Sequence, residues 1–407
     1  MVPAAFIDSL LTHYSDTAYR ASLETDLQFW KARIVPANPG LVNELRYAFS
    51  LVQRFHLTGN INDLQQADSI LYTADRAFNH KETAPNLALV RNSILQHRFK
   101  QADSLLKQAK DIGIKKYESA SMSFDVAFEL GHYQVAEIEL KQIASSSDYG
   151  YQFRRAKLEH YRGAVDSAIA AMHRAYLLAG ANTVLKQAAL SNEADLNLHN
   201  NNLQQAANLY IQSIRHSATD LHSLMGLGWI ALVHDKNDSL AEKIFRFVQS
   251  KTNAPDALYK LIQVAEARGD SLQQQQLAAA FVNRVSNPAY GNMYNKYLLQ
   301  LYTGILNQPA KAQALAAAEL LNRSTPQTYA WYVWALYSQQ NRAAAEKIYQ
   351  QQVSGKPLEG LELYWMGKYM EGIGKGYNAM QFFKAAWKNR YDLSPAMVAD
   401  LETLLKD

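Results

Sequence analysis

The sequence predicts an all-α chain in which helix hairpins stack side by side into one continuous solenoid. Two observations carry that prediction: small residues recur at a nearly constant interval, and apolar residues recur at helical spacing on either side of short polar turns. The stretch 221–248, LHSLMGLGWIALVHDKNDSLAEKIFRFV, shows the unit plainly. Leu224, Leu227, Gly228 and Ala231 form one apolar run, HDKNDS a polar turn, and Ala241, Phe245 and Val248 a second run. Two antiparallel helices crossing closely at Gly228 and Ala241 fit this pattern. Such a hairpin cannot bury its apolar face alone, so neighbours of the same design must stack on it.

At the N-terminus, Phe6, Leu10 and Leu11, then Leu23, Leu27, Trp30 and Ile34, give two helices before the break PANPG at 36–40. Residues 1–40 lack the small-residue crossing and are expected to cap the array, because a terminal unit needs one polar outer face. From residue 41 a small residue recurs early in every second helix, with an apolar one four places on. The pairs are Ala67 and Leu71, Ala102 and Leu106, Ala136 and Leu140, Ala168 and Met172, Ala206 and Tyr210, and Ala241 and Phe245. A weaker unit at Gln274 and Ala278 follows, then Ala312 and Ala316, Ala345 and Tyr349, and Ala379 and Phe383. Successive first members lie 35, 34, 32, 38, 35, 33, 38, 33 and 34 residues apart. Small residues are needed there because helix axes approach to about 8–10 Å only when the side chain at the crossing is small. Turns such as TGNIND (58–63), LGHY (130–133), YRGAVD (161–166) and ARGDS (267–271) supply Gly to end one helix and Asp or Ser to begin the next. Pro85, Pro255 and Pro326 fall at or near a first helical turn, where a missing N–H costs nothing. The end of the chain, 391–407, is expected to close the stack with a helix capped by Ser394 that shows Met397, Leu401 and Leu404.

At this period the pattern resembles the tetratricopeptide repeat, whose signature places Leu, Gly and Tyr on the first helix and Ala-x3-Phe on the second. Leu224, Leu227, Gly228, Ala231, Ala241 and Phe245 take those places, as do Leu363, Met366, Gly367, Met370, Ala379 and Phe383. Tyr329, Tyr332, Val333, Leu336, Ala345 and Tyr349 do so again. The resemblance covers 41–390, about ten repeats, and departs from the family where the signature tryptophan and the crossing glycine are replaced and where Gln274 stands for alanine. It implies a right-handed superhelix whose concave face, built from first helices, holds a protein or peptide partner.

Composition narrows the function. Charged residues are 19% of the 407, against about 25% in ordinary soluble proteins, and Gln, Asn and Ser fill many polar positions. A net charge of +4 with no dense basic run does not favour nucleic acid. No cysteine is present, so thiolate metal sites, thiol nucleophiles and disulfides are excluded. The opening MVPAAFIDSLLTHYSD reads as no signal peptide, and no run of about 18 apolar residues could span a membrane. The cysteine-free, amide-rich composition leans toward an extracytoplasmic location if a leader once preceded Met1, and otherwise suits the cytoplasm. No cofactor is expected, and no oligomeric state is implied.

No catalytic constellation emerges. GIGKGY at 372–377 lacks the spacing and the preceding strand of a phosphate loop and reads as an inter-helix turn. Ser104 and Lys107 share a helix with no partner motif. The eleven histidines are scattered, and His132 and His234 read as solvated turn residues.

The aromatic residues are uneven. YGNMYNKYLLQLY, YAWYVWALY and LELYWMGKYM, with the later Tyr377, Trp387 and Tyr391, crowd residues 290–391. With the crossing residues as register, the inward face shows Trp229 beside Met225, then Tyr259, Tyr294, Tyr297, Trp334, Tyr337 and Tyr364. This stripe either fills gaps between stacked hairpins or lines a groove in which rigid rings anchor a ligand, and solvent exposure of Trp334 and Tyr337 distinguishes the two. The inward positions hold few cations, so apolar contacts and amides are expected to bind the partner, with no charged clamp. Carbohydrate binding on the same framework is the alternative, although such proteins carry long insertions between repeats for which the regular spacing leaves little room.

Overall fold

The computed structural model describes every residue except 36–38, 146 and 407, and every side chain of the remainder except that of Tyr377. The predicted break at 36–40 therefore lies partly outside the described residues. Among those described there are 23 α-helices and no strand. After α1 (Ala4–His13) and α2 (Thr17–Lys31), ten hairpins follow. Their first helices are α3 (Leu41–Thr58), α5 (Thr83–Leu95), α7 (Lys116–Glu129), α9 (Tyr149–Tyr161), α11 (Thr183–His199), α13 (Leu221–Val233), α15 (Asp256–Ala267), α17 (Asn295–Thr303), α19 (Pro326–Ser338) and α21 (Gly360–Gly372). Their second helices are α4 (Ile61–Ala77), α6 (Phe99–Ile112), α8 (Tyr133–Gln142), α10 (Val165–Leu178), α12 (Leu203–His216), α14 (Asp238–Lys251), α16 (Ser271–Val285), α18 (Pro309–Asn322), α20 (Arg342–Ile348) and α22 (Gly376–Lys388). The last helix is α23 (Pro395–Leu404).

The recurring alanines sit where the hairpins cross. Ala67, Ala102, Ala136, Ala168, Ala206, Ala241, Ala312 and Ala345 have no exposed surface, and Ala379 has almost none. A Cβ added to Gly228 would lie 2.7 Å from the Phe245 ring, and one on Gly367 2.4 Å from Phe383, so glycine on one helix receives the aromatic of the other. In the weak unit Gln274 is only half-buried, and Ala278 with Phe281 supplies the crossing one turn later. Hairpin turns follow the sequence pattern: the side chains of Asn60, Asp220, Asn237, Asp270 and Asn341 accept from backbone N–H groups in the first turn of the helix each precedes. GIGKGY is the turn between α21 and α22, and His132 and His234 are exposed in turns, as the sequence indicated.

The array winds back on itself. Asn253 N–H donates to the Thr58 carbonyl at 2.7 Å, Asn292 N–H to the Gln96 carbonyl at 3.0 Å, and Asn201 Nδ2 to the Lys388 carbonyl at 2.8 Å. These partners lie between five and six hairpins apart, so the second winding rests on the first. Gly59, at φ +65°, meets Ala254 so closely that a Cβ would fall 2.1 Å from its nitrogen, and Gly131, at φ +80°, faces Thr325 at 2.9 Å. Both glycines end a first helix and leave room for the next winding. The ends of the chain also cross. While α2 covers α3, α1 reaches over to α14, where Val2 N–H donates to Asp235 at 2.8 Å and Lys243 pairs with Asp8 at 2.7 Å. At the other end α23 packs on α22 and α15.

Candidate functional site

The first helices line the inside of both windings, and their inner wall divides into a groove and two further cavities. The groove crosses α3, α5, α7 and α9. A recess of about 600 Å3 holds Ile94, Met122 and Tyr117 between Arg91, Lys115 and Arg154. A second recess of about 310 Å3 continues over Phe49, Val52 and His56. Phe49 and Tyr117 are 59% and 49% exposed, unusual for rings on a helix that faces inward. The cations are fixed from the side: Arg154 grips Asp125 through two bonds of 3.0 and 2.6 Å, and Lys157 meets Glu129 at 2.9 Å. Glu129 feels burial, but Lys157 and Arg323 outweigh it and hold its carboxyl below the usual range.

Beyond α9 the second winding closes over the first. One cavity, of about 290 Å3, runs between α7, α9 and α19; the next, of about 370 Å3, runs between α11, α13, α15 and α17. Lys296 and Glu359 belong to both and join them. Lys296 lies 3.3 Å from Glu359 and 3.2 Å from the fully buried Glu362, which also accepts from Trp331 Nε1 at 2.6 Å. Burial opposes the Lys296 charge, yet the two glutamates hold its ammonium above the ordinary lysine value. His222 meets Asp195 at 3.0 Å, and His199 meets Asp392 at 2.5 Å. Asp195 raises the exposed His222 to about 9. For His199, burial is overcome by Asp392 and the value again reaches about 9.

Of the seven aromatic residues predicted to face inward, Trp229, Tyr259 and Tyr297 line the larger cavity. Tyr259 and Tyr297 stack at 4.1 Å, with the Tyr259 hydroxyl on Gln300 at 2.9 Å. Trp229 Nε1 donates to the Tyr391 carbonyl of the next winding at 2.7 Å. The other four are not among that cavity's walls. Tyr294 is buried edge-on to Phe281, its hydroxyl on Asp256 at 2.8 Å. Trp334 and Tyr337 are half-buried at the seam between α19 and α21, where Trp334 stacks on Trp365 at 5.9 Å and the Tyr337 hydroxyl fills the space over Gly372. Tyr364 bonds Asp400 at 2.7 Å.

The expectation of few inward cations does not hold. Arg91, Lys115, Arg154, Lys157, Lys260, Lys296 and Arg323 all line the inner recesses. The inward positions were assigned from the aromatic residues alone, and the same inner wall also carries these cations. A usable signal was present, since Lys260 and Lys296 adjoin Tyr259 and Tyr297, and neighbouring positions on a wide inner face share it. The histidines, scattered in sequence, also gather: His160 and His199 lie 5.3 Å apart between their ring centroids.

No family model matches the chain, and no curated protein matches it. Among solved structures it is similar to a tetratricopeptide repeat protein from Parabacteroides merdae, at 14% identity over 72% of this chain and 99% of that one, with a TM-score of 0.35. It is also similar to a Rap protein complexed with competence and sporulation factor, at 12% identity over 90% and 98% of the two chains and a TM-score of 0.47. A third is a signal transduction ATPase with numerous domains and a tetratricopeptide repeat sensor from Pyrococcus horikoshii, at 14% identity over 95% of this chain and 56% of that one, TM-score 0.43. These likenesses are distant. A buried alanine at the crossing of nine hairpins, with glycine receiving a phenylalanine ring in two of them, is what makes the described chain an all-α solenoid of tetratricopeptide-like repeats.

Proposed function

We propose that the chain is a non-catalytic scaffold that holds an extended segment of a partner protein against the inner face of α3, α5, α7 and α9. One observation carries the reading: Phe49 and Tyr117 stand exposed in an open groove, flanked by Arg46, Arg91 and Lys115. Exposed rings in a concave surface are suited to anchoring apolar side chains, and cations beside them favour a segment that mixes apolar with acidic residues. The carbohydrate alternative has no comparable support, because among the connections between hairpins only those at 286–294 and 349–359 exceed short turns and neither carries a long insertion.

Panning a random dodecapeptide library on the full chain tests it. An apolar and acidic consensus is expected, with affinity reduced roughly tenfold by Phe49→Ala and again by Arg91→Glu. Binding on a glycan array with no peptide consensus would overturn the proposal in favour of carbohydrate.

A further inference from the structure

The larger of the two inner cavities shares no lining residue with the groove over α3 and α5, and its ionic groups are unevenly satisfied. His222 is matched to Asp195, His199 to Asp392, and Lys296 to Glu359 and Glu362, while Asp256 accepts from the Tyr294 hydroxyl. Lys260 is the exception. Among the described residues no carboxylate lies within 4.0 Å of its ammonium, whose close neighbour is the Trp229 ring, 3.4 Å from the centroid. One turn further along α15, Gln263 is 7% exposed and lines the same cavity, and its Oε1 has no hydrogen-bond partner. Gln263 Oε1 thus lacks a partner, and one turn away the Lys260 ammonium has an aromatic face but no carboxylate, so the pair is suited to an anionic ligand that also donates a hydrogen bond.

We propose that this cavity is a binding site for an organic carboxylate of small-molecule size, held with its anionic end on Lys260, its polar atoms beside Gln263, and a flat or apolar group against the Tyr259–Tyr297 stack. The volume of about 370 Å3 falls in the range of small-ligand clefts, and the walls have the usual mixture of aromatic surface and a few convergent polar groups. Trp229 is held by Tyr391 and Tyr259 by Gln300, so the aromatic walls are fixed before a ligand arrives. The carboxylate could be that of a free small molecule or of an acidic side chain reaching in from a bound polypeptide; the recognising chemistry is the same.

Proton linkage supports this. Burial lowers the Lys260 ammonium to about 7, although Asp256, Asp392 and Asp195 oppose the shift. A carboxylate that pairs with it must raise its pKa, so binding takes up a proton and is tighter at pH 6 than at pH 8. His222, His199 and Lys296 face the same space, but their raised values keep them charged across that interval, so Lys260 sets the dependence.

Isothermal titration of the full chain with benzoate, indole-3-acetate and hexanoate, each against its uncharged amide, and with an acetylated glutamate-containing pentapeptide, reads the site. At least one carboxylate is expected to bind with a Kd below about 1 mM, its amide at least roughly tenfold more weakly, with tighter binding at pH 6. Lys260→Met should weaken the carboxylate roughly tenfold while leaving groove-selected peptides unaffected, which separates this site from the groove. If Lys260→Met does not fold, Gln263→Leu provides the comparison, with a smaller loss expected. Binding by the small carboxylates identifies a free ligand, and binding by the pentapeptide alone identifies an acidic side chain. Equal binding of acid and amide, no effect of either variant, or no binding by any of these probes would overturn the proposal.

Discussion

Gly59 has two reasons to be glycine, and they can be measured apart. Its left-handed φ costs any other residue about 1–2 kcal/mol, and a Cβ there would run into the Ala254 backbone. Gly163 has the first reason only, since its φ is +76° with nothing within 4 Å. Gly59→Ala should therefore lower the thermal midpoint clearly more than Gly163→Ala in matched circular-dichroism melts. The excess reports the contact between windings, and equal losses would mean that the windings do not touch at this point. Both glycines were legible in the sequence as helix endings, because TGNIND and YRGAVD have the local chemistry of a turn. That one of them also admits a distant backbone was not legible, because the residue it meets lies 195 positions away.

Within a hairpin, the alanine four residues before an apolar partner determines how closely the helices approach. Ala241→Phe and Ala345→Leu would each force a larger side chain into a crossing with no free surface. Overpacking of this kind costs about 1–3 kcal/mol, and chemical denaturation of the two variants should show a loss in that range. An unchanged midpoint would mean that the hairpins cross elsewhere. The interval of these alanines made the array readable from the sequence, whereas the site was read only in part. A first helix touches its own partner, the next first helix and the inner space, and helical period alone does not separate the last two. Trp229, Tyr259 and Tyr297 were assigned inward and line the cavity, while Trp334 and Tyr337, assigned by the same rule, are half-buried beside Trp365 and Tyr369 and keep part of their surface exposed. Lys260 and Lys296 went unassigned because the inward positions were assigned from the aromatic residues alone.

At the scale of the whole molecule, ion pairs tie winding to winding across the inner wall, Arg323 to Glu129 at 4.0 Å and His199 to Asp392. His199 on α11 meets Asp392 after α22, with Asp195, Glu359 and His160 around it, and its folded value is about 9. A histidine raised above its unfolded value of about 6.5 contributes stability that is fully present below that pH and is lost as the pH rises through 9. Lys260 works in the opposite direction, because its lowered value makes the folded chain gain stability over part of the same interval. The informative quantity is therefore the difference between the wild type and His199→Gln. The wild-type advantage in thermal midpoint should be largest near pH 6.5 and should shrink by pH 9.5. An advantage that stays constant with pH would remove His199 from that role.

Among the described residues the apolar core falls into separate clusters along the chain, and one of them joins the windings: Phe55, Ile61 and Leu64 of the first hairpin share it with Leu258, Ile262 and Phe281 of the second winding. The windings are therefore clasped by buried apolar surface as well as by turn backbones, amides and the His199–Asp392 pair. A strand with bulky folded bodies at both ends would have to break that clasp to reach the interior from the side, whereas a strand with a free end would not.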